Sequence, residues 1–200
     1  MNLHKIFTLL LFCVILTYNI NAQSFGGGII GGVSTSQVAG DLLGGFNKIG
    51  LLTGAYTNLN VKENISFQLE IIYIEKGSQN PNIHKNNIAE IMLSYMELPI
   101  SVNLQQKESL GVEAGILPAF LINSEMADYF SEIEITPSFK KYDFGIFAGI
   151  NYHVMNKIIL NTRISNSIIP IRPHVSSATN RWNKGQYNTV LSFAIHYKIR

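Results

Sequence analysis

The sequence predicts an all-β chain: an eight-stranded antiparallel up-and-down transmembrane β-barrel, preceded by a cleaved signal peptide. Three observations carry this expectation. Apolar and polar residues alternate with period two over many segments. Short and long connections alternate strictly between those segments. Charged residues make up only 14% of the chain, against about 25% in ordinary soluble domains, yet no apolar run after the leader reaches the ~20 residues of a spanning helix.

The leader is Met1 to Ala22. Lys5 precedes an apolar run from Ile6 to Tyr18, and Asn19-Ile20-Asn21-Ala22 follows. Basic, apolar and small-residue regions in that order define a secretory signal peptide, with cleavage expected after Ala22. Phe12, where a lipoprotein signal needs a small residue, argues against an anchor on Cys13. The chain therefore divides into a signal peptide, 1–22, and one barrel domain, 23–200. Loss of the leader removes Cys13, the only cysteine, and with it any disulfide or thiol chemistry. Of fifteen Lys and Arg, all but Lys5 remain, against thirteen Asp and Glu. A balance this even argues against nucleic acid as a partner.

Eight strands are expected at about 25–37, 48–61, 65–76, 88–105, 109–122, 142–154, 158–170 and 186–199. The last is the clearest. Tyr187, Thr189, Leu191, Phe193, Ile195, Tyr197 and Ile199 form one face, and Asn188, Val190, Ser192, Ala194, His196 and Lys198 the other. The strand at 142–154 repeats the arrangement, with Tyr142, Phe144, Ile146, Ala148, Ile150 and Tyr152 opposite Asp143, Gly145, Phe147, Gly149, Asn151 and His153. At 65–76, Ile65, Phe67, Leu69, Ile71 and Tyr73 oppose Ser66, Gln68 and Glu70. At 109–122, Leu110, Val112, Ala114, Ile116 and Phe120 oppose Gly111, Glu113 and Gly115.

Three connections are tight: Lys62-Glu63-Asn64, Gln106-Lys107-Glu108 and Met155-Asn156-Lys157. Four are long, at about 38–47, 77–87, 123–141 and 171–185. Outer-membrane barrels have short periplasmic turns and long external loops. A soluble lipocalin-like barrel would instead turn its apolar set inward around a ligand, with Phe193 and Ile195 lining the cavity. The apolar-out arrangement is favoured by the acids and glycines on the opposite face. Tyrosines near strand ends (Tyr73, Tyr95, Tyr142, Tyr152, Tyr187 and Tyr197) suit interfacial girdles.

Apolar-out alternation sends Glu70, Glu97, Glu113, Asp143, Arg163 and Lys198 into the lumen. Buried carboxylates are costly unless paired, so Arg163 and Lys198 are expected to neutralise some of them. Glu70, Glu97 and Glu113 are the candidate partners of Arg163. With Gln68 and Asn161 these side chains should fill an interior that eight strands leave too narrow for a wide pore.

Other features carry less. Gly26-x-Gly28-x-x-Gly31 matches a dinucleotide-binding pattern, but a strand before it and a helix after it are missing. Close backbone packing explains those glycines better. His153 and His196 fall on the lumen face without metal-ligand spacing, and His84 and His174 lie in long loops. No catalytic, cofactor-binding or metal residues are assigned. In the long loops, Tyr129, Phe130 and Phe139 are candidate contacts for another cell-envelope protein. Arg172, His174, Arg181, Trp182 and Lys184 form a basic-aromatic mixture that could meet a partner or lipopolysaccharide phosphates. The barrel is expected to be a monomer surrounded by outer-membrane lipid.

At this point the chain resembles the PorT-like outer-membrane β-barrel proteins. The resemblance rests on Asn21-Ala22-Gln23, the glycine-rich run Phe25 to Gly32, Tyr95-Met96-Glu97-Leu98-Pro99-Ile100, and Gly145 with Gly149 in Tyr142 to Gly149. It covers the whole mature chain and implies an outer-membrane location and an eight-strand barrel, with no shared catalytic residues. The resulting expectation is a non-enzymatic barrel, structural or partner-binding, with its long external loops as the interaction surface. A soluble periplasmic barrel binding an apolar ligand is the alternative. A lipid-modifying outer-membrane enzyme is the third reading, requiring a serine and a histidine in contact near one rim.

Overall fold

The computed structural model describes residues 25–41, 43, 45–81, 90–107, 109–128, 134, 136–173 and 185–199. Nine antiparallel segments occupy them: β1 (Phe25–Ala39), β2 (Lys48–Lys62), β3 (Ile65–Gln79), β4 (Glu90–Glu97), β5 (Ile100–Gln105), β6 (Leu110–Ala127), β7 (Tyr142–Met155), β8 (Ile158–Ser167) and β9 (Tyr187–Lys198). Neighbours in sequence pair, except that β4 and β5 each pair with β3 and β6, and β1 closes the ring against β9.

The nine segments make eight staves, because β4 and β5 are one strand. Both lie between β3 and β6, and their register is continuous: Ile72 faces Glu97 and Leu69 faces Ile100. Only Leu98-Pro99 interrupts the assignment. Pro99 has no N–H for the ladder, but its carbonyl still accepts from Glu70 N at 3.0 Å, and Leu98 N donates to Pro118 O at 2.9 Å. The expected strand at 88–105 is therefore present from Glu90 to Gln105, with a proline-sized gap.

The outward face is apolar. Ile29, Ile49, Leu69, Ile71, Ile146, Ile150, Ile164, Phe193 and Ile195 are all exposed. Phe193 and Ile195 thus point away from the interior, which overturns the soluble apolar-ligand alternative. The inward set is polar on the side of the short turns and apolar toward the long loops, where Leu52, Ile72, Ile74, Ile91, Leu93 and Val190 pack together. Tyr142, Tyr152 and Tyr197 are exposed, as interfacial girdle residues should be. Tyr95 corrects that expectation. Odd positions of β4 face inward, so its ring is fully buried in the lumen.

One irregularity shapes the interior. The β2–β3 ladder stops at Leu52–Ile74, and the end of β3 instead leans against β1. Ser34 Oγ donates to Glu75 O at 2.7 Å, and Val38 N donates to Ser78 Oγ at 2.7 Å. Ser36 Oγ accepts from Gly77 N at 2.9 Å. Two glycines make the crossing fit. A Cβ on Gly50 would collide with the Glu75 backbone, and Gly77 holds a φ of 147°, which side chains rarely adopt. The freed edge of β2 is covered by Glu75, whose Oε2 accepts from Leu51 N at 3.1 Å.

Candidate functional site

Three groups of side chains fill the barrel from the short-turn end to the long-loop end. The first centres on Arg163, which is 6% exposed. Its Nη1 and Nη2 donate to Glu70 Oε2 and Oε1 at 3.1 and 2.8 Å, and its Nε donates to Glu113 Oε1 at 2.8 Å. Register explains the second pairing. Glu113 on β6, Gly149 on β7 and Arg163 on β8 lie in one cross-strand row. Only a glycine leaves the path between them open, since a Cβ on Gly149 would sit 2.6 Å from Glu113 Oε1. Glu70 is on the opposite wall.

Two carboxylates against one guanidinium leave the group net negative, and neutral donors complete it. Gln68 Nε2 donates to Glu70 at 2.7 Å. Asn161 and Asn151 donate to Glu113 at 2.9 and 3.2 Å. Phe147 lies 4.1 Å under the guanidinium. Buried charge survives only when every lone pair is engaged, and this constellation comes close to that condition.

The second group lies toward the long loops. Glu97 pairs with Lys76 rather than with Arg163, and the Lys76 ammonium stands 4.9 Å over the Tyr95 ring. Among the described residues no cation pairs with Asp143. Its Oδ2 accepts from Ser167 Oγ at 2.7 Å and Asn188 Nδ2 at 3.0 Å. Lys198 corrects the expected network. It lies half-buried at the mouth between the tight turns, and the carboxylates above it have other partners. Alternation puts Lys198 on the right face, but as the last residue of β9 it is only half-buried.

The third group closes the long-loop end. Arg172 is 1% exposed. Its Nε donates to Gln186 Oε1, its Nη1 to Met126 Sδ at 3.3 Å, and its guanidinium stacks 4.3 Å over Phe139. Gln186 Nε2 donates to Gly40 O at 3.1 Å, and Lys140 N donates to Ile171 O at 2.7 Å. This cap ties three of the four long connections together. It removes Phe139 from the expected contact surface: the ring is buried because Arg172 needs an apolar platform once it leaves water. Asp41, beside the cap, has its carboxyl pushed up by burial. Tyr129, Phe130, Arg181 and Trp182 lie outside the described residues. Lys76 and Arg172 are interior groups that alternation misses, because Lys76 ends a predicted strand and Arg172 falls in a predicted loop.

No described helix is long and apolar enough to cross a membrane, whereas the strands present a continuous apolar belt. The sequence matches no curated protein. Among solved structures the barrel is similar to Neisserial surface protein A, with a TM-score of 0.56 at 12% identity, covering 88% of this chain and 100% of that one. It is also similar to Ail of Yersinia pestis, solved in complex with the heparin analogue sucrose octasulfate, with a TM-score of 0.54 at 8% identity, covering 88% and 99%. Identities this low show the fold alone. The model of the outer membrane protein beta-barrel domain matches residues 19–172; the chain belongs to that family and resides in the outer membrane.

Proposed function

We propose that this barrel is a non-enzymatic component of the outer membrane, structural or partner-binding, whose long external loops are its working surface. The observation that carries this reading is the closed interior. Among the described residues an ion-paired lumen lies beneath a cap of Arg172, Phe139, Met126 and Gln186, and we take the loop surface to be what the molecule offers the outside. The sequence of the long connections includes Tyr129, Phe130, Arg181 and Trp182, residue types that anchor protein interfaces. The partner is another cell-envelope protein. Within the family, we assign the chain to the PorT-like barrels, on the glycine-rich first strand, the Tyr95-to-Ile100 segment and the Gly145–Gly149 pair. Residues 1–22 are its export signal, cleaved after Ala22.

The test is a photo-crosslinking scan with probes at Phe130 and Trp182 in intact cells. A single repeated envelope-protein adduct, lost when residues 174–184 are replaced by a Gly/Ser linker, supports the reading, provided that the barrel still shows heat-modifiable migration. Adducts only with lipid at both positions would contradict it.

A further inference from the structure

We propose that the edge of β2 from Lys48 to Leu51 is a docking site for an extended strand of a partner protein, one with apolar residues in alternation and a lysine or arginine among them. The site lies on the barrel wall and is independent of the loop surface proposed above. β2 stays paired with β1 as far as Lys48–Ser36, but its ladder with β3 ends at Leu52–Ile74. Four residues thus have a strand on one side only.

Two contacts show which backbone groups face the open side. Lys48 O accepts from Ser36 Oγ of β1 at 3.4 Å, whereas Leu51 N donates away from β1, to Glu75 Oε2 at 3.1 Å. In an antiparallel ladder the N–H and C=O of one residue point to the same side, and that side alternates along the strand. Ile49 therefore aims both groups at the open edge, and Leu51 aims its C=O there. Continued register would bring Gly77 opposite Ile49. Gly77 N, however, donates to Ser36 Oγ at 2.9 Å, and Glu75 O accepts from Ser34 Oγ. This end of β3 is committed to β1.

The surroundings define the occupant. Ile49 and Leu51 are 70% and 53% exposed on the apolar face. Lipid tails offer no hydrogen bonds, so backbone groups at such an edge are costly. An added strand supplies N–H and C=O at the matching spacing, with apolar side chains beside Ile49 and Leu51. Glu75 fixes the charge. Its Oε2 stands at Leu51 N where a ladder carbonyl would, its Oε1 accepts from Tyr73 Oη at 3.2 Å, and no cation pairs with it among the described residues. Lys48 is already held by Glu90 at 2.7 Å. A strand whose carbonyl displaces Glu75 from Leu51 N meets that carboxylate with its own cation, an opposite-charge pair across strands.

The test uses the whole mature barrel in detergent and the peptide acetyl-Thr-Val-Thr-Lys-Thr-Val-Thr-amide, read by amide hydrogen exchange and by titration. In the free barrel the Ile49 amide should exchange faster than that of Thr53, which lies within the β2–β3 ladder, and saturating peptide should slow it about tenfold or more. Replacing the peptide's lysine by glutamate should weaken binding about tenfold or more. N-methylation of alternate amides should abolish binding in one phase and spare it in the other, because only one edge of the peptide pairs. Ile49→Pro should keep the urea midpoint, since proline is tolerated where the N–H faces an open edge, and should lose the peptide. The proposal fails if the Ile49 amide is as protected as Thr53 without peptide, if Ile49→Pro unfolds the barrel, or if both methylated peptides bind alike, which would mean apolar adsorption only. Equal binding of the lysine and glutamate peptides would overturn the assigned charge.

Discussion

Arg163 on β8 grips Glu70 on β3 across the full width of the barrel, through paired contacts of 2.8 and 3.1 Å, while its Nε holds Glu113 at 2.8 Å. These strands are not neighbours, so one side chain fastens opposite walls. Arg163→Ala strands two buried carboxylates and should lower unfolding stability by about 3–5 kcal/mol. The urea midpoint and the temperature of heat-modifiable migration in detergent report this. Arg163→Lys should recover only part of the loss, since an ammonium lacks the fork that engages both acids. An unchanged midpoint in Arg163→Ala would show the pairing to be dispensable.

Gly149 has a packing role in the same row. Its replacement by Ala drives a methyl toward Glu113 Oε1 and the Thr162 carbonyl. Overpacking of this kind costs about 1–3 kcal/mol. Gly149→Ala should therefore destabilise the barrel, and the combination with Arg163→Ala should cost less than the sum, because Glu113 is then free to move. Strict additivity would argue against the shared row.

The freed edge of β2 makes a local prediction. Glu75→Ala removes the acceptor for Leu51 N and should cost about 1 kcal/mol, with faster hydrogen exchange at the Leu51 amide. Glu75→Gln keeps one oxygen and should preserve most of the protection. Exchange at Leu51 that ignores both changes would contradict the assignment.

Alternation made most of this architecture legible. Period two gave eight staves, the outward apolar face and the inward acids, and Arg163 could be assigned to the lumen with Glu70 and Glu113 among its candidate partners. What alternation lacks is depth and curvature. Lys198 has the inward phase but sits at the mouth, and Tyr95 has the inward phase of β4 yet belongs by residue type to a girdle. Phe139 and Arg172 read as exposed loop residues, because stacking between segments 33 residues apart leaves no local pattern. The lean of β3 toward β1 was hidden for a similar reason: Ser34 and Ser36 look like ordinary strand residues until their long-range acceptors are seen.

Asp41 gives a pH dependence. Burial raises its carboxyl above the ordinary value of 3.8. The folded state then binds the proton more readily than the unfolded chain, so this group's contribution is greatest in acid and is lost as pH rises through the folded pKa. Asp41→Asn keeps an oxygen for the Leu43 N–H, accepted at 2.8 Å, and removes the charge. The stability of Asp41→Asn relative to the parent should rise as pH increases from about 4 toward neutrality. Urea midpoints of both proteins across that range check it, and a difference that falls with pH would reverse the sign of the argument.

A transmembrane barrel with its long loops outside is tested most directly by protease treatment of intact cells followed by membrane fractionation. The protein should fractionate with the outer membrane, external protease should cut only within the long connections such as 129–133 and 174–184, and the strands should survive as protected fragments. Recovery of the mature protein as a soluble species in the periplasmic extract, or external cleavage at the Glu63-Asn64 and Asn156-Lys157 turns, would contradict it.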